Sequence, residues 1–390
     1  MDFYHVWTPW GDEPDEEYLW EIFPCTDGIL LSKGYVTPKL EENIVKYGGI
    51  NNFLRWNGPV IGDSGAWLYK YEDEPPYSVR ELLDYYVKLR IPVGAHLDHM
   101  ILKTVNVDGV KRELTLEEKK KRWQITLDNA RETIDLLSKE KFNHLQIIGV
   151  VQGWDLESYR KAAKETLKMG YTYLGIGGVA RKPSSQLLKI VEVVNKEIDR
   201  CVSRQRDRIR LHLFGFARLH LIPFLMKRRV VSFDTAAPLR QAWESGEHNY
   251  HFANPWRSYT AIRIRLTRVK KTRKGLEKIE KETLETMYSF ARREVSLEFT
   301  LTKLLDYERK ILEVDGIEKS KIEKIVKVLE KRYIRTLKDR PWERCDCPVC
   351  KENGVDVIIF REGWRNGSRA HHNVRQFYLE LNKIKSISDT

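Results

Sequence analysis

Seven short apolar runs alternate with longer amphipathic stretches between residues 28 and 244, and this alternation narrows the fold more than anything else in the chain. The runs cover residues 28–31, 59–62, 93–97, 145–151, 173–176, 211–214 and 230–233, and each reads as a buried strand. Between them, Ser78-Val79-Arg80-Glu81 and Thr115-Leu116-Glu117-Glu118 have the capping-box form that opens a helix. After Thr115, the residues Trp123, Leu127, Ile134 and Leu137 recur near helical spacing and predict that helix's buried face. Strands and helices in alternation mean a parallel sheet with helical crossovers. Polar residues stand just after many different runs, where a closed barrel builds its site. The expected fold is α/β, a (β/α)8 TIM-like barrel with its eighth strand unassigned; a doubly wound open sheet is the alternative topology.

Composition bounds the partners. Charged residues make up 32% and hydrophobic ones 42%, which suits a soluble globular protein. No run of 18 apolar residues occurs, and the opening MDFYHVWTPWGDEPDEE lacks both parts of a signal peptide. A cytoplasmic protein with no membrane partner and no disulfides is expected. The formal net charge of +12 favours a polyanion. One basic cluster holds Arg263, Arg265, Arg268, Lys270, Lys271, Arg273 and Lys274; a second holds Lys331, Arg332, Arg335, Lys338 and Arg340. Helical patterns lie around 276–312 and 321–337. The chain is therefore expected to divide into a barrel over 1–255, a basic helical insertion over 256–340 and a subdomain over 341–390, where the clustered Cys345, Cys347 and Cys350 suit zinc. Arg268, Lys270, Lys271 and Arg273 are candidate nucleic-acid contacts; the plainer reading is a solvated helix face.

Cys345, Cys347 and Cys350 form a Cys-x-Cys-x-x-Cys cluster, and His371-His372-Asn373 follows about twenty residues later. Three thiolates and one imidazole fill a tetrahedral zinc shell and leave no position for water, so the ion would be structural. Five cysteines occur in the chain, and three of them within six positions point to a metal rather than to chance burial. Spacing does not decide between His371 and His372. Cys25 and Cys201 stand alone and read as core residues.

The strand ends carry the candidate chemistry. Asp63-Ser64-Gly65-Ala66-Trp67 follows the second run, and its carboxylate would face a barrel mouth or else cap the next helix. Asp98 lies in His96-Leu97-Asp98-His99, a segment without a partner His pair for a catalytic metal at another strand end. Gln152 offers a donor and an acceptor to a flat heterocycle. Gly175-Ile176-Gly177-Gly178 lacks the spacing and the lysine of a nucleotide-triphosphate loop, so it instead suits close backbone approach to a ligand. Asp234 ends the seventh run with Arg240 six residues later: a nucleophile with an anion clamp, or a structural salt bridge.

Taken in order, Asp63-Ser64-Gly65, Val151-Gln152-Gly153, Gly177-Gly178-Val179-Ala180, Ser232-Phe233-Asp234 through Pro238-Leu239-Arg240, the cysteine cluster and His-Asn resemble the tRNA-guanine transglycosylase family. The resemblance spans roughly 28–255 and 341–380. It implies a barrel fold, a structural zinc and exchange of guanine for a 7-deazaguanine free base within a nucleic acid. It assigns Asp234 as nucleophile and Asp63 as general acid/base. Asp98, Gln152, Gly177 and Gly178 become base-recognition positions, and Arg240 a phosphate contact. Cys345, Cys347, Cys350 and His372 become zinc ligands. Departures from the tRNA pattern are Ala66 for glycine, Leu239 for threonine, the basic insertion, and no recognisable RNA-binding domain after the zinc segment. They direct the resemblance to the branch that inserts 7-deazaguanine, such as 7-cyano-7-deazaguanine, into DNA. That branch implies DNA as partner, tRNA as the alternative, and companion proteins of a DNA-modification system. A non-catalytic, zinc-stabilised nucleic-acid-binding protein is the rival from another class; Asp63 and Asp234 together argue against it.

Overall fold

A computed structural model describes residues 1–107, 110–139, 141–266, 274–361 and 363–388. Eight parallel strands close into a barrel. In chain order they are β1 (Asp2–Trp7), β2 (Gly28–Ser32), β3 (Val60–Asp63), β4 (Val93–Ala95), β5 (Gln146–Val151), β6 (Tyr173–Ile176), β7 (Arg210–Leu213) and β8 (Val230–Thr235). Each strand pairs with its sequence neighbour, and β1 closes the ring against β2 and β8. The open-sheet alternative is thereby excluded. All seven apolar runs become barrel strands. The eighth strand, β1, had no helical pattern before it to mark it, and its apolar residues are interrupted by His5. That imidazole is nonetheless buried, and the His5 backbone N–H donates to Thr26 Oγ1 at 3.0 Å.

Inward-facing Tyr4, Leu30, Ile61, Ile148 and Tyr173 fill the barrel, with Val6, Val93, Phe214 and Val231 packed against them. Burying each large apolar side chain contributes about 1.5–3 kcal/mol. Two glycines fix a helix to the outer wall. A Cβ at Gly62 or Gly94 would fall 2.2 or 2.3 Å from the Tyr86 ring. Tyr86 can therefore lie close against β3 and β4, and its hydroxyl donates to the Ala95 carbonyl at 2.8 Å.

The two predicted capping boxes are formed. Ser78 and Glu81 open α1 (Val79–Leu89), and Thr115 and Glu118 open α2 (Leu116–Leu137). The buried face of α2 is offset from the expected one. Arg122, Thr126, Leu127, Ala130, Thr133 and Leu136 are buried, whereas Trp123, Ile134 and Leu137 are only partly so. Arg122 decides the rotation, since its guanidinium satisfies the carbonyls of Lys70, Glu72 and Met100. The crossover between β5 and β6 is α3 (Leu156–Lys168).

Residues 1–21, 26–236 and 384–390 group into one compact unit, and 22–25 with 237–383 into a second. The second unit contains α4 (Ala237–Glu244), a hairpin of Tyr250–Phe252 with Arg257–Tyr259, and the helices α5 (Glu277–Ala291), α6 (Leu297–Val314) and α7 (Lys319–Asp339). The helical pattern at 276–312 is thus two helices: Arg293 takes a left-handed conformation, and Ser296 then caps α6. Further along are the short helix Pro348–Asn353 and α8 (Trp364–Ser388). Cys25 is buried as expected, but Cys201 is half-buried at the end of a crossover helix. Among the described residues, no helix is long and apolar enough to cross a membrane. Arg268, Lys270, Lys271 and Arg273 lie outside the described residues.

Candidate active site and metal centre

Each predicted strand-end residue of the barrel sits at the carboxyl end of its strand or just beyond it. Asp63 closes β3, Asp98 follows β4, Gln152 follows β5, Gly177 and Gly178 follow β6, and Asp234 lies near the end of β8. Asp63 is not a helix cap. Its Oδ2 accepts the Gly65 N–H at 3.0 Å, and the Ser32 hydroxyl also bonds its carboxylate. Burial, and then the negative charges of Asp98 and Asp234, push its carboxyl up to about 7. A group poised there can both give and take a proton near neutral pH.

Asp98 has both carboxylate oxygens engaged. Oδ1 accepts from Ser64 Oγ and Oδ2 from Gln152 Nε2, each at 2.8 Å. Tyr69 braces the pair by donating to Ser64 Oγ and to the Asp98 carbonyl. His96 turns its Nδ1 to the Leu97 carbonyl, and His99 turns its Nε2 to the Glu72 carbonyl. The three side chains of His96-Leu97-Asp98-His99 that could ligate a metal thus face different partners.

Gln152 departs from the expected pairing of donor and acceptor. Its N–H goes to Asp98, while its Oε1 is buried without a hydrogen-bond partner among the described residues. An unmatched buried acceptor costs about 1–3 kcal/mol, so a ligand N–H placed there would be held. The glycine pair is explained by the same amide. A Cβ on Gly177 would lie 2.4 Å from Gln152 Nε2. Gly178 has φ +68°, and its Cβ would lie 3.0 Å from Gln152 Oε1. Glycine here first makes room for the Gln152 side chain.

Asp234 is held by one oxygen. Oδ1 accepts the Gly215 N–H at 3.2 Å and His212 Nε2–H at 3.1 Å. Oδ2 makes no hydrogen bond among the described residues. His212 Nδ1 lies 2.7 Å from Ser232 Oγ, which in turn meets the Tyr173 hydroxyl. With a neutral His212 donating to Asp234, Nδ1 is the acceptor for the Ser232 hydroxyl, and Ser232 Oγ for that of Tyr173. This chain of three buried groups was not anticipated. Its signals were a histidine inside the apolar run Leu211–Phe214 and a serine two residues before Asp234, hence on the same strand face. Arg240, on α4 in the second unit, is paired with Glu244 Oε1 at 2.6 Å. The salt-bridge alternative for Arg240 thus has a partner, though not Asp234.

Within the second unit, Cys345, Cys347, Cys350 and His372 are all buried, and their ligand atoms lie within 4.8 Å of one another. His371 is not part of this group. His372 Nδ1 is 3.6, 3.5 and 3.2 Å from the three sulfurs. Tetrahedral zinc with its usual bond lengths requires S···N edges of about 3.5 Å. His372 Nε2 is 2.6 Å from the His251 carbonyl, the outer contact that leaves Nδ1 free for a metal. The Tyr250 ring stacks on the imidazole at 4.0 Å. The cluster can hold a metal ion such as zinc.

A DNA-guanine transglycosylase from Salmonella montevideo is 30% identical to this chain over 96% of it and 90% of the relative's own length. The chain belongs to the tRNA-guanine transglycosylase superfamily. Two tRNA-acting members match less of it. A queuine tRNA-ribosyltransferase from Acinetobacter baumannii strain ACICU is 24% identical over 53% of the chain and 56% of that protein. A tRNA-guanine(15) transglycosylase from Methanocaldococcus jannaschii is 27% identical over 39% and 22%, respectively. No family model matches the chain. The chain is a transglycosylase of this superfamily, with relatives that are pentosyltransferases.

Proposed function

We propose that this transglycosylase exchanges guanine in DNA for a 7-deazaguanine base, 7-cyano-7-deazaguanine or a close relative. The observation that carries the chemistry is the asymmetry of its carboxylates: Asp234 is anchored through Oδ1 with Oδ2 free, while Asp63 is poised near neutrality. Asp234 Oδ2 attacks the anomeric carbon of the target nucleotide, and the bond to guanine N9 breaks with its electron pair leaving on the base. Asp63 protonates that base. The incoming 7-deazaguanine then loses its ring N–H proton to Asp63 and displaces Asp234 from the same carbon. Two displacements give net retention, as in retaining glycosidases.

Asp98 and Gln152 suit the base edge. The carboxylate accepts N–H donors, and the unmatched Gln152 Oε1 takes another. A guanine in a duplex must leave the stack to reach such a pocket. Arg240 and the basic insertion would hold phosphates without reading sequence. Cys345, Cys347, Cys350 and His372 would hold zinc in a closed shell, where it supports the fold. The proposed division is a catalytic barrel over 1–255, the basic insertion over 256–340 and the zinc subdomain over 341–390. Companion proteins of a DNA-modification system would supply and direct the reaction.

The DNA substrate is supported by the near full-length likeness to a DNA-guanine transglycosylase. The partial likeness to tRNA-acting members keeps tRNA as the second reading. Labelled guanine offered with DNA and with tRNA in parallel separates them. Label is expected in DNA; incorporation into tRNA alone would overturn the proposal.

A further inference from the structure

The structure sorts the basic residues of the insertion into those already neutralised and those left over. Arg265 is bound by Glu308 at 2.6 Å, Arg309 by Asp306 and Glu323, Arg332 by Glu247, and Arg340 by Glu343. Six of those left over gather on one side of α7. At about 100° per residue, Lys321, Lys324, Lys327, Lys331, Arg335 and Lys338 fall within about a third of its circumference. All six are exposed, and none has a carboxylate partner among the described residues. Of the acids of α7, Glu323 and Glu330 lie outside that arc, with Glu323 taken by Arg309 at 3.1 Å, while Asp339 at the last position accepts the Tyr259 hydroxyl at 3.1 Å.

The opposite face explains why the cations cannot turn inward. Ile322, Val326, Leu329, Tyr333 and Leu337 are buried and lock the helix rotation. At one flank a cleft of about 560 Å³ continues the basic surface with Arg263. Its carboxylates, Glu247 and Glu308, are held by Arg332 and Arg265. A solvated helix normally mixes its charges, as α3 does, where Arg160, Lys161 and Lys168 each meet a glutamate.

We propose that this face of α7 seats the phosphodiester backbone of duplex DNA. The argument is charge complementarity. The line from residue 321 to 338 is roughly 26 Å long at about 1.5 Å per residue. That exceeds the roughly 12 Å width of a major groove, so cations at its two ends reach phosphates on both walls. The side chains are mostly lysines, which bind phosphate as point charges and carry no base code. The inference rests on the DNA reading above and assigns it a surface that lies apart from the base-exchange residues in sequence.

The test compares full-length wild type with a Lys324→Ala, Lys327→Ala, Lys331→Ala, Lys338→Ala variant, titrating fluorescent duplexes of unrelated sequence over a salt series. Alanine at exposed positions preserves the helix. The slope of log affinity against log salt should become shallower by about 0.9 for each phosphate no longer neutralised, roughly 3 to 4 in all. Affinity near 0.15 M salt should fall at least tenfold for every sequence alike. The same four positions as Gln should behave identically, which separates charge from folding. An Arg160→Ala, Lys168→Ala control should keep the wild-type slope. An unchanged slope in both charge variants would overturn the inference. So would a slope that shallows for tRNA and not for DNA. Label exchange by wild type is scored separately: exchange into DNA beside an unchanged slope removes the α7 surface and leaves the base-exchange reading standing.

Discussion

His212 shows how a barrel interior can serve the residue at its mouth. Its Nε2–H meets Asp234 Oδ1 at 3.1 Å, and Ser232 and Tyr173 back it from inside the barrel. A hydrogen bond to a charged group contributes about 1.5–3 kcal/mol, so His212→Phe should lower exchange roughly 10- to 100-fold. His212→Gln, which can present an N–H at the same place, should recover part of it. Steady-state exchange rates check this, and a His212→Phe enzyme at the wild-type rate would remove the positioning role. Asp234→Asn should abolish exchange and covalent adduct trapping. It should leave DNA binding within about threefold, a change of roughly 0.6 kcal/mol. Asp63 predicts the pH behaviour. Its carboxyl is raised from 3.8 to about 7 in the folded protein, so the native state holds the proton more tightly. Its contribution to stability is full below pH 4 and is lost as pH rises through about 7. Asp63→Asn should flatten that slope in pH-dependent melting and abolish the pH dependence that Asp63 imposes on any residual exchange.

At the scale of elements, strand ends and helix ends hold the two centres in different ways. Strand register aligns Ser32 with Asp63 across β2 and β3, which brings a hydroxyl beside the poised carboxyl. The cluster of Cys345, Cys347, Cys350 and His372 instead brings side chains of the short helix Pro348–Asn353 and of α8 together. Cys347 caps that short helix by accepting the Cys350 N–H, so one sulfur both ends a turn and faces the cluster. Loss of such a tie acts on folding before it acts on chemistry. The expected result for Cys347→Ser is a lower melting temperature and poorer solubility. Wild type should contain one zinc per chain by elemental analysis. A metal-free wild type with normal stability would contradict this.

For the whole molecule, the net charge of +12 sets how strongly any polyanion is attracted, whatever its sequence. Arg268, Lys270, Lys271 and Arg273 add to the same effect. Their replacement by Ala should weaken DNA binding uniformly and shallow the salt slope by about 0.9 for each phosphate these side chains neutralise. Binding titrations at several salt concentrations check this, and an unchanged slope would make these four a solvated face.

Much of this protein was written locally. Continuous apolar runs named seven of eight strands because a strand buried on both faces must be apolar throughout. Capping residues marked helix starts because they satisfy backbone groups within three residues. The cysteine cluster was legible because three cysteines lie within six positions. What lay beyond reach was set by partners distant in sequence. The eighth strand exists because β2 and β8 pair with it. The rotation of α2 depends on carbonyls some 20 to 50 residues from Arg122. His372 differs from His371 through burial on one face of α8. The pairing of Asp234 with His212, and the separation of neutralised from unpaired cations on α7, follow from tertiary contacts that no local pattern encodes.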